Sequence, residues 1–454
     1  MKEKSYQLLL SLGYTKEEAQ EVVNSLFLHN LKDESLCKNI LNVYNYLRDY
    51  YTKEEIIKMT KLLPALYSYS IKNIKQKIED MMSLGYTKKD VIEMTKKAHS
   101  LYSVGIETIK QKINDMMRLG YTRKEVIRMA RKSPALYGYS INNINDKIND
   151  LVGIGYTKKD VIEMTKRQPS LYGLSIETIK QKINDMMSLG YTKEEVIRMT
   201  KLLPSLYSIS TETIKQKIND MMSLGYTKEE VIRMTKKQPS LYGHTIENIK
   251  QKIEDMMHLG YTKEDVIRMS KDSRSLYSYS IKSIKQKIEG IMNLGYTKDD
   301  VIKITKALPS LYGLSMENIK TKINFYKSIN LENIVLEDTK KLMQSVELSY
   351  ARYRYLTVMK NEITKDNYSK LFYNQNKFKK RFGIDNKTVK KLYPFEEYLK
   401  VQKLYERLEI LNKLNPNAAK ELLNNKVQKY IDSNSNIEKR INNKYSRVLK
   451  NSKV

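Results

Sequence analysis

Tryptophan is absent from this chain, cysteine occurs once, at Cys37, and histidine occurs four times. A single thiol excludes an internal disulfide framework and any zinc site built on cysteine pairs. His29, His99, His244 and His258 show no ligand spacing, so neither a metal nor a cofactor is expected. There is no Gly-rich phosphate loop of the P-loop type. Most carboxylates, such as Glu194, Glu195, Glu229 and Glu230, fall where they favour a helix N-terminus rather than where they would serve acid–base chemistry. No stretch approaches the roughly 20 apolar residues of a membrane span. The N-terminus carries acids and runs into Leu12-Gly13-Tyr14-Thr15, unlike a secretory signal or an Arg-rich presequence. The expectation is a cytoplasmic, non-enzymatic protein with no membrane and no small-molecule substrate. An organellar form would have lost a presequence.

What is present in excess is positive charge. Lysine and arginine number 82 against 52 acids, a net of +30, while 41% hydrophobic residues are enough to fold. Such a field attracts polyanions, nucleic acid foremost. A Lys-rich composition that only confers solubility is the bland alternative.

The triplet Gly-Tyr-Thr starts at Gly85, Gly120, Gly155, Gly190, Gly225, Gly260 and Gly295, a fixed interval of 35 residues. Self-similarity at that period marks stacked helical units. In residues 190–224, Thr192 and Glu195 form a capping box that opens a helix. Val196, Ile197, Thr200 and Leu203 are placed on its inner side, and Pro204 ends it. Ser205-Leu206-Tyr207-Ser208 is a connector that plugs the gap between units. Ser210 caps a second helix with Ile214, Ile218, Met221 and Met222 as its apolar stripe, and Gly225 stops it in the left-handed C′ position. Neither helix can bury its stripe alone, so the units must stack. The predicted fold is all-α, a curved or right-handed α-solenoid of about eight two-helix repeats. Residues 1–49 form a capping repeat, 50–330 the solenoid and 331–454 a basic helical C-terminal domain.

Leu-Gly-Tyr-Thr-Lys-Glu-Glu-Val-Ile, then Pro-Ser-Leu-Tyr, then Ser-x-Glu-x-Ile-Lys-x-Lys-Ile resembles the repeat of the mitochondrial transcription termination factor (mTERF) family. His99 and Arg274 depart from it, standing where proline is expected. The resemblance implies binding of double-stranded DNA or structured RNA in transcription or its termination. The Lys-, Asn-, Ile- and Tyr-rich composition looks bacterial rather than organellar, which suggests a nucleoid-associated protein.

Two sets of cations recur in register. Second helices carry Lys-x-Lys, as at Lys180/Lys182, Lys215/Lys217 and Lys250/Lys252. First helices carry Arg128, Arg198, Arg233, Arg268 and Lys303, with a second cation three residues on at Arg131, Lys201, Lys236 and Lys271. Glu93 and Glu163 interrupt the first of these rows. Stacked, such positions form ladders able to follow a phosphate backbone without touching bases. The unit 190–224 nevertheless holds five cations and four acids, so the ladder could equally be a solvated helix face. Residues before the connector proline (Arg167-Gln168, Leu202-Leu203) and after the connector (Tyr139, Leu174, Ile209, His244) vary. Base reading at these places is weighed against drift, and drift is favoured.

Residues 331–454 hold 27 Lys/Arg and 14 Asp/Glu. Tyr350, Tyr353, Tyr355, Tyr368 and Tyr373 interleave there with Arg352 and Arg354, suiting either stacking on bases or packing against the last repeat. Residues 374–393 resemble a helix-turn-helix, with Gly383 at the turn and Asp385 as cap; the other reading is a basic helical hairpin. In the first case Asn386, Lys387, Lys390 and Lys391 would face a groove. The preferred partner is nucleic acid, double-stranded DNA ahead of RNA, bound by a monomer. The competing class is a protein-interaction solenoid, effector-like, that takes an acidic protein.

Overall fold

The computed structural model describes residues 2–400 apart from Arg274, together with Lys403. Of the helices expected at 395–414 and 417–432, only 395–400 and Lys403 are described, and they are helical. The remainder, the Asn-rich tail helix included, lies outside the described residues. Those residues are helical and contain no strand, and they form two compact units, Met1–His244 and Thr245–Val454.

Each 35-residue repeat is helix, 3₁₀ turn, helix. In the repeat opened by Gly190, the first helix is Lys193–Leu202, the turn Pro204–Ser208 and the second helix Thr211–Ser223. Thr192 accepts from the Glu195 amide (3.2 Å) while Glu195 accepts from the Thr192 amide (2.8 Å), so two amides without helical partners are satisfied at once. Substituting such a cap costs about 1 kcal/mol. Val196, Met199 and Thr200 are the buried face of the first helix; Leu203, assigned to it from sequence, is only half-buried. In the second helix Ile214, Ile218 and Met221 are buried, but Met222 is 42% exposed, because it sits one residue past the stripe. Pro204 starts the 3₁₀ turn, whose Leu206 and Tyr207 are buried as the connector reading requires. Where His99 replaces proline the turn still forms, as His99–Tyr102, and the His99 Nδ1 pairs with the Thr95 carbonyl oxygen at 2.7 Å. Arg274 lies outside the described residues.

The glycine stop has two causes. Gly190 adopts φ +110°, and the Tyr191 and Gly190 amides close the preceding helix onto the carbonyls of Met186 (3.3 Å) and Met187 (3.0 Å). A Cβ there would also lie 3.1 Å from Cδ1 of Ile232, which reaches over from the next repeat.

Successive repeats are joined by hydroxyls as well as by apolar packing. Tyr14, Tyr51, Tyr121, Tyr156, Tyr191 and Tyr261 are buried and each reaches into the following repeat, where its hydroxyl meets a threonine of the first helix and a tyrosine of the connector, whereas the half-buried Tyr296 hydroxyl has no hydrogen-bond partner among the described residues. Tyr14 meets Thr60 (2.7 Å) and Tyr67 (2.7 Å), Tyr51 meets Thr95 (2.8 Å) and Tyr102 (2.9 Å), and Tyr156 meets Thr200 (2.5 Å) and Tyr207 (2.5 Å). The second unit repeats the arrangement with Tyr261, Thr305 (2.6 Å) and Tyr312 (2.7 Å). The Tyr86 hydroxyl keeps only Tyr137, since Ala130 stands where the threonine would be.

The 35-residue period ends near Asn330, yet the plan continues once more in degenerate form. A single turn, Ile334–Glu337, replaces the first helix, and the 3₁₀ segment Thr339–Met343 and the helix Val346–Val358 follow. Thr339 is bonded to the Val335 carbonyl as Thr200 is to that of Val196. Two short helices, Gln375–Phe382 and Asn386–Leu392, come next.

Tyr156→Phe leaves Thr200 and Tyr207 without their shared partner and should lower the unfolding free energy by about 1–3 kcal/mol in urea titration. Gly190→Ala should cost at least about 1 kcal/mol by the same measurement, because the strained φ and the Ile232 contact act together.

Candidate nucleic-acid interface

The cations predicted as one binding surface fall into three groups. The inner lysine of most Lys-x-Lys pairs is turned inward. Lys182 and Lys217 are each 7% exposed and Lys252 is half-buried. Their ammonium groups donate to the main-chain oxygens of Ile209, His244 and Tyr279 in the next connector. Lys77, Lys112 and Lys322 do the same towards Val104, Tyr139 and Leu342. Burial pulls Lys182 below the ordinary lysine value, with Asp185 acting against it. These lysines are therefore junction bonds rather than a face for a ligand, a correction to the sequence reading of Lys182, Lys217 and Lys252. A Lys beside an isoleucine stripe has a long apolar stem that reaches across the packed surface before its charge emerges.

The second cation of the first helix is committed to a carboxylate one repeat back. Arg131 pairs with Asp90 (3.2 Å), Lys201 with Asp160 (2.8 Å), Lys236 with Glu195 (2.9 Å) and, in the second unit, Lys306 with Asp265 (2.8 Å). The carboxylate is the one that closes the capping box, so a single acid serves both its own helix and the next repeat. Burial alone would raise the Asp160 carboxyl, but hydrogen bonds from Lys201 and Thr157 hold it down at about 2. Lys271 is half-buried. Glu163, which breaks the exposed row, joins Glu125 in holding Lys166 (2.8 and 2.9 Å).

The third group stays exposed: Arg128, Arg198, Arg233, Arg268 and Lys303 on first helices, and Lys180, Lys215 and Lys250 on second helices. The second-helix set alternates with Gln–Asp pairs, as Gln181 to Asp185 (2.7 Å) and Gln216 to Asp220 (2.7 Å), which offset its charge. The first-helix set has a partner row that sequence reasoning missed. The first residue of each first helix is a cation, as at Lys88, Arg123, Lys158, Lys193 and Lys228, all exposed. The signal was the basic residue after every Gly-Tyr-Thr, a place where the helix dipole disfavours positive charge.

These rows meet in grooves over the glycine stops. The groove at Gly85 encloses about 810 Å³ and is lined by the cations Arg123, Lys124, Arg128 and Arg131, one acid, Glu125, and Ile127. Its helix, Arg123–Lys132, has five cations and one carboxylate, Glu125, which Lys166 already engages. Arg123 donates to the Leu84 carbonyl (3.3 Å) and Arg131 to that of Gly85 (3.0 Å), which holds both guanidinium groups on the groove wall. The equivalent groove at Gly260, about 500 Å³, includes Asp299 beside Arg268, Lys303 and Lys306, and its Arg268 is paired with Asp265 (2.9 Å). The Gly85 groove is the more cationic.

The mTERF family model matches residues 2–153, 107–258 and 207–379. The chain belongs to the mTERF family. Members are generally nucleic-acid-binding helical repeat proteins of transcription and its termination, and the family is not one of enzymes. No curated protein matches the chain. No helix among the described residues is long and apolar enough to cross a membrane.

The last matched stretch reaches into the region of interleaved tyrosines, and there the packing reading holds. Tyr350 and Tyr355 are buried; Tyr350 lies 6.1 Å from the Phe325 ring, and Tyr355 donates to the Phe382 carbonyl at 2.9 Å. Arg352 is buried to 1% exposure, a correction to its assignment as a surface cation, and Arg354 is half-buried against Tyr393. The helix pair at 374–393 has its turn at Gly383 (φ +75°) and its cap at Asp385, with Phe378, Phe382, Ile384 and Val389 inside. Asn386 accepts from Arg352 (2.7 Å) and so does not face outward alone, while Lys387, Lys390 and Lys391 are exposed and Lys390 pairs with Glu347 (2.7 Å).

Arg167 and the connector positions also have main-chain roles. Arg167 donates to the carbonyls of Leu202 (3.1 Å) and Lys201 (2.5 Å), and Ile209 and His244 are used through their carbonyl oxygens. Variation at the connector positions follows, since any side chain there brings the same carbonyl. That favours drift over base reading.

A folded-state Asp160 near 2 against an ordinary value of about 3.9 gives stability that is fully present above about pH 4 and lost as pH falls towards 2. The difference in urea midpoint between wild type and Asp160→Asn should therefore shrink across that window.

Proposed function

We propose that this mTERF-family chain binds double-stranded DNA, ahead of structured RNA, as a monomer, through phosphate contacts along the exposed face of its first helices. The Gly85 groove is the strongest point of that face. The observation that carries the reading is that Arg123, Lys124 and Arg128 line this groove without an ion pair among the described residues, while Glu125, the acid in the groove wall, and the nearby Asp90 are taken up by Lys166 and Arg131. A surface whose carboxylates are internally neutralised presents its remaining cations at full strength. Because these cations recur in a fixed register, they suit a regular polyanion, and they need no base contacts. A bound array of this kind would act as a roadblock or regulator of transcription. An acidic protein partner is the competing reading, and salt dependence separates the two.

Charge reversal of Arg123, Lys124 and Arg128 to Glu should weaken duplex binding by ten-fold or more and reduce the salt slope of log affinity by about 2–3, at roughly 0.9 per phosphate contact. Lys182→Met should lower stability but leave both affinity and slope within error, as a junction residue would. Equal loss in both variants, or a shallow slope in the wild type, would sink the proposal.

A further inference from the structure

A third cavity, of about 290 Å³, lies among the helices that follow the repeats, and Arg352 lines it. The guanidinium Nη1 donates to the carbonyls of Leu371 (2.8 Å) and Tyr373 (2.6 Å), and Nη2 donates to Oδ1 of Asn386 (2.7 Å). The ring of Phe378 lies 4.1 Å from its central carbon. Nε has no partner. Of the five N–H donors a guanidinium carries, Nε–H and one on Nη2 are therefore left over.

The charge is as unusual as the donors. Among the described residues no carboxylate forms an ion pair with Arg352; Glu347, on the same helix, is held by Lys390, and Asp385 is engaged by Thr388. Burial lowers the guanidinium to about 10, so it stays protonated at neutral pH. A buried cation without a counter-charge is costly to hold, and an anion in the cavity would offset that.

The wall of the cavity supplies what an anion needs. Ser345 and Asn374 line it, and they are the N-caps of Val346–Val358 and Gln375–Phe382, so two helices direct their positive ends at the space. Gln344, Gln375 and Asn386 add side-chain amides. The volume fits a phosphoryl group with its nearest substituents rather than a whole nucleotide.

We propose that this cavity is an oxyanion site that takes a phosphoryl group, with Arg352 as its charge and the Ser345 and Asn374 helix starts as its walls. The site is separate from the first-helix grooves and does not rest on their binding nucleic acid.

The test is thermal unfolding of the full chain at matched ionic strength in chloride, in inorganic phosphate, in adenosine 5′-monophosphate and with a short single-stranded oligonucleotide. Asn374→Asp keeps a good helix cap but puts a negative charge at the mouth, and Asn374→Ser keeps the cap with no charge. Phosphate should raise the Tm of the wild type and of Asn374→Ser above that in chloride, and Asn374→Asp should need at least ten-fold more phosphate for the same rise. Protection by inorganic phosphate or the mononucleotide assigns the site to free phosphates. Protection by the oligonucleotide alone, lost in Asn374→Asp but retained in the Arg123/Lys124/Arg128 reversal, assigns it to a strand's phosphate. No rise with any of the three, or a rise that Asn374→Asp leaves unchanged, overturns the proposal.

Discussion

A buried tyrosine hydroxyl at most repeat junctions sets the relation between neighbours. A two-helix unit with its apolar stripe exposed could slide along its neighbour with little change in buried area, because methionine and isoleucine pack in many ways. At most glycine stops the tyrosine that follows removes that freedom. Its oxygen is buried beside a threonine and a second tyrosine of the next repeat, and any slip would strand three polar groups in the core. Burial pushes these phenols up, Tyr156 included, so they remain neutral donors at any ordinary pH. The glycine that positions the tyrosine and the isoleucine that covers the glycine both follow from the need to hold this oxygen in place.

The same stacking redistributes the charge. A net of +30 overstates what the surface offers, since in most repeats two of the recurring cations are committed to the junctions, one to a carbonyl and one to a capping carboxylate. Each exposed ion pair is worth little alone, about 0–1 kcal/mol. Their regularity matters more than their strength, because they remove acids from the field of the first-helix face. What remains is uneven along the chain. It is richest in Arg123–Lys132 and nearly balanced in Lys263–Asp272, which has three cations and three acids.

The fold was legible because its signals are local. Thr192 and Glu195, Pro204 and Gly225 act within a turn of where they stand, and a fixed interval turns one correct unit into many. The family resemblance rested on the same residues. The cations were legible as rows but not as roles. Lys180 and Lys182 look alike in sequence, two positions apart, and only the location of the next connector decides that one is exposed and the other is bonded to Ile209. Arg352 misled for a related reason: an arginine among tyrosines reads as a surface patch unless the tyrosines themselves are the core. Beyond Asn330 the plan persisted after its sequence period had gone, since Ile334–Glu337 is too short to carry a periodic stripe.

A lysine that grips a main-chain oxygen makes a joint indifferent to the residue it grips. Ile209, His244 and Tyr279 differ in size and polarity, yet each presents the same carbonyl to the lysine before it. Such a coupling works like a standard fitting: any unit with the lysine can precede any unit with the connector. Whole repeats can then be duplicated, deleted or exchanged without retuning the seams, whereas a change of one or two residues in length would misplace every contact downstream. An array assembled this way is free to alter its length in steps of 35 residues while the connector side chains diverge.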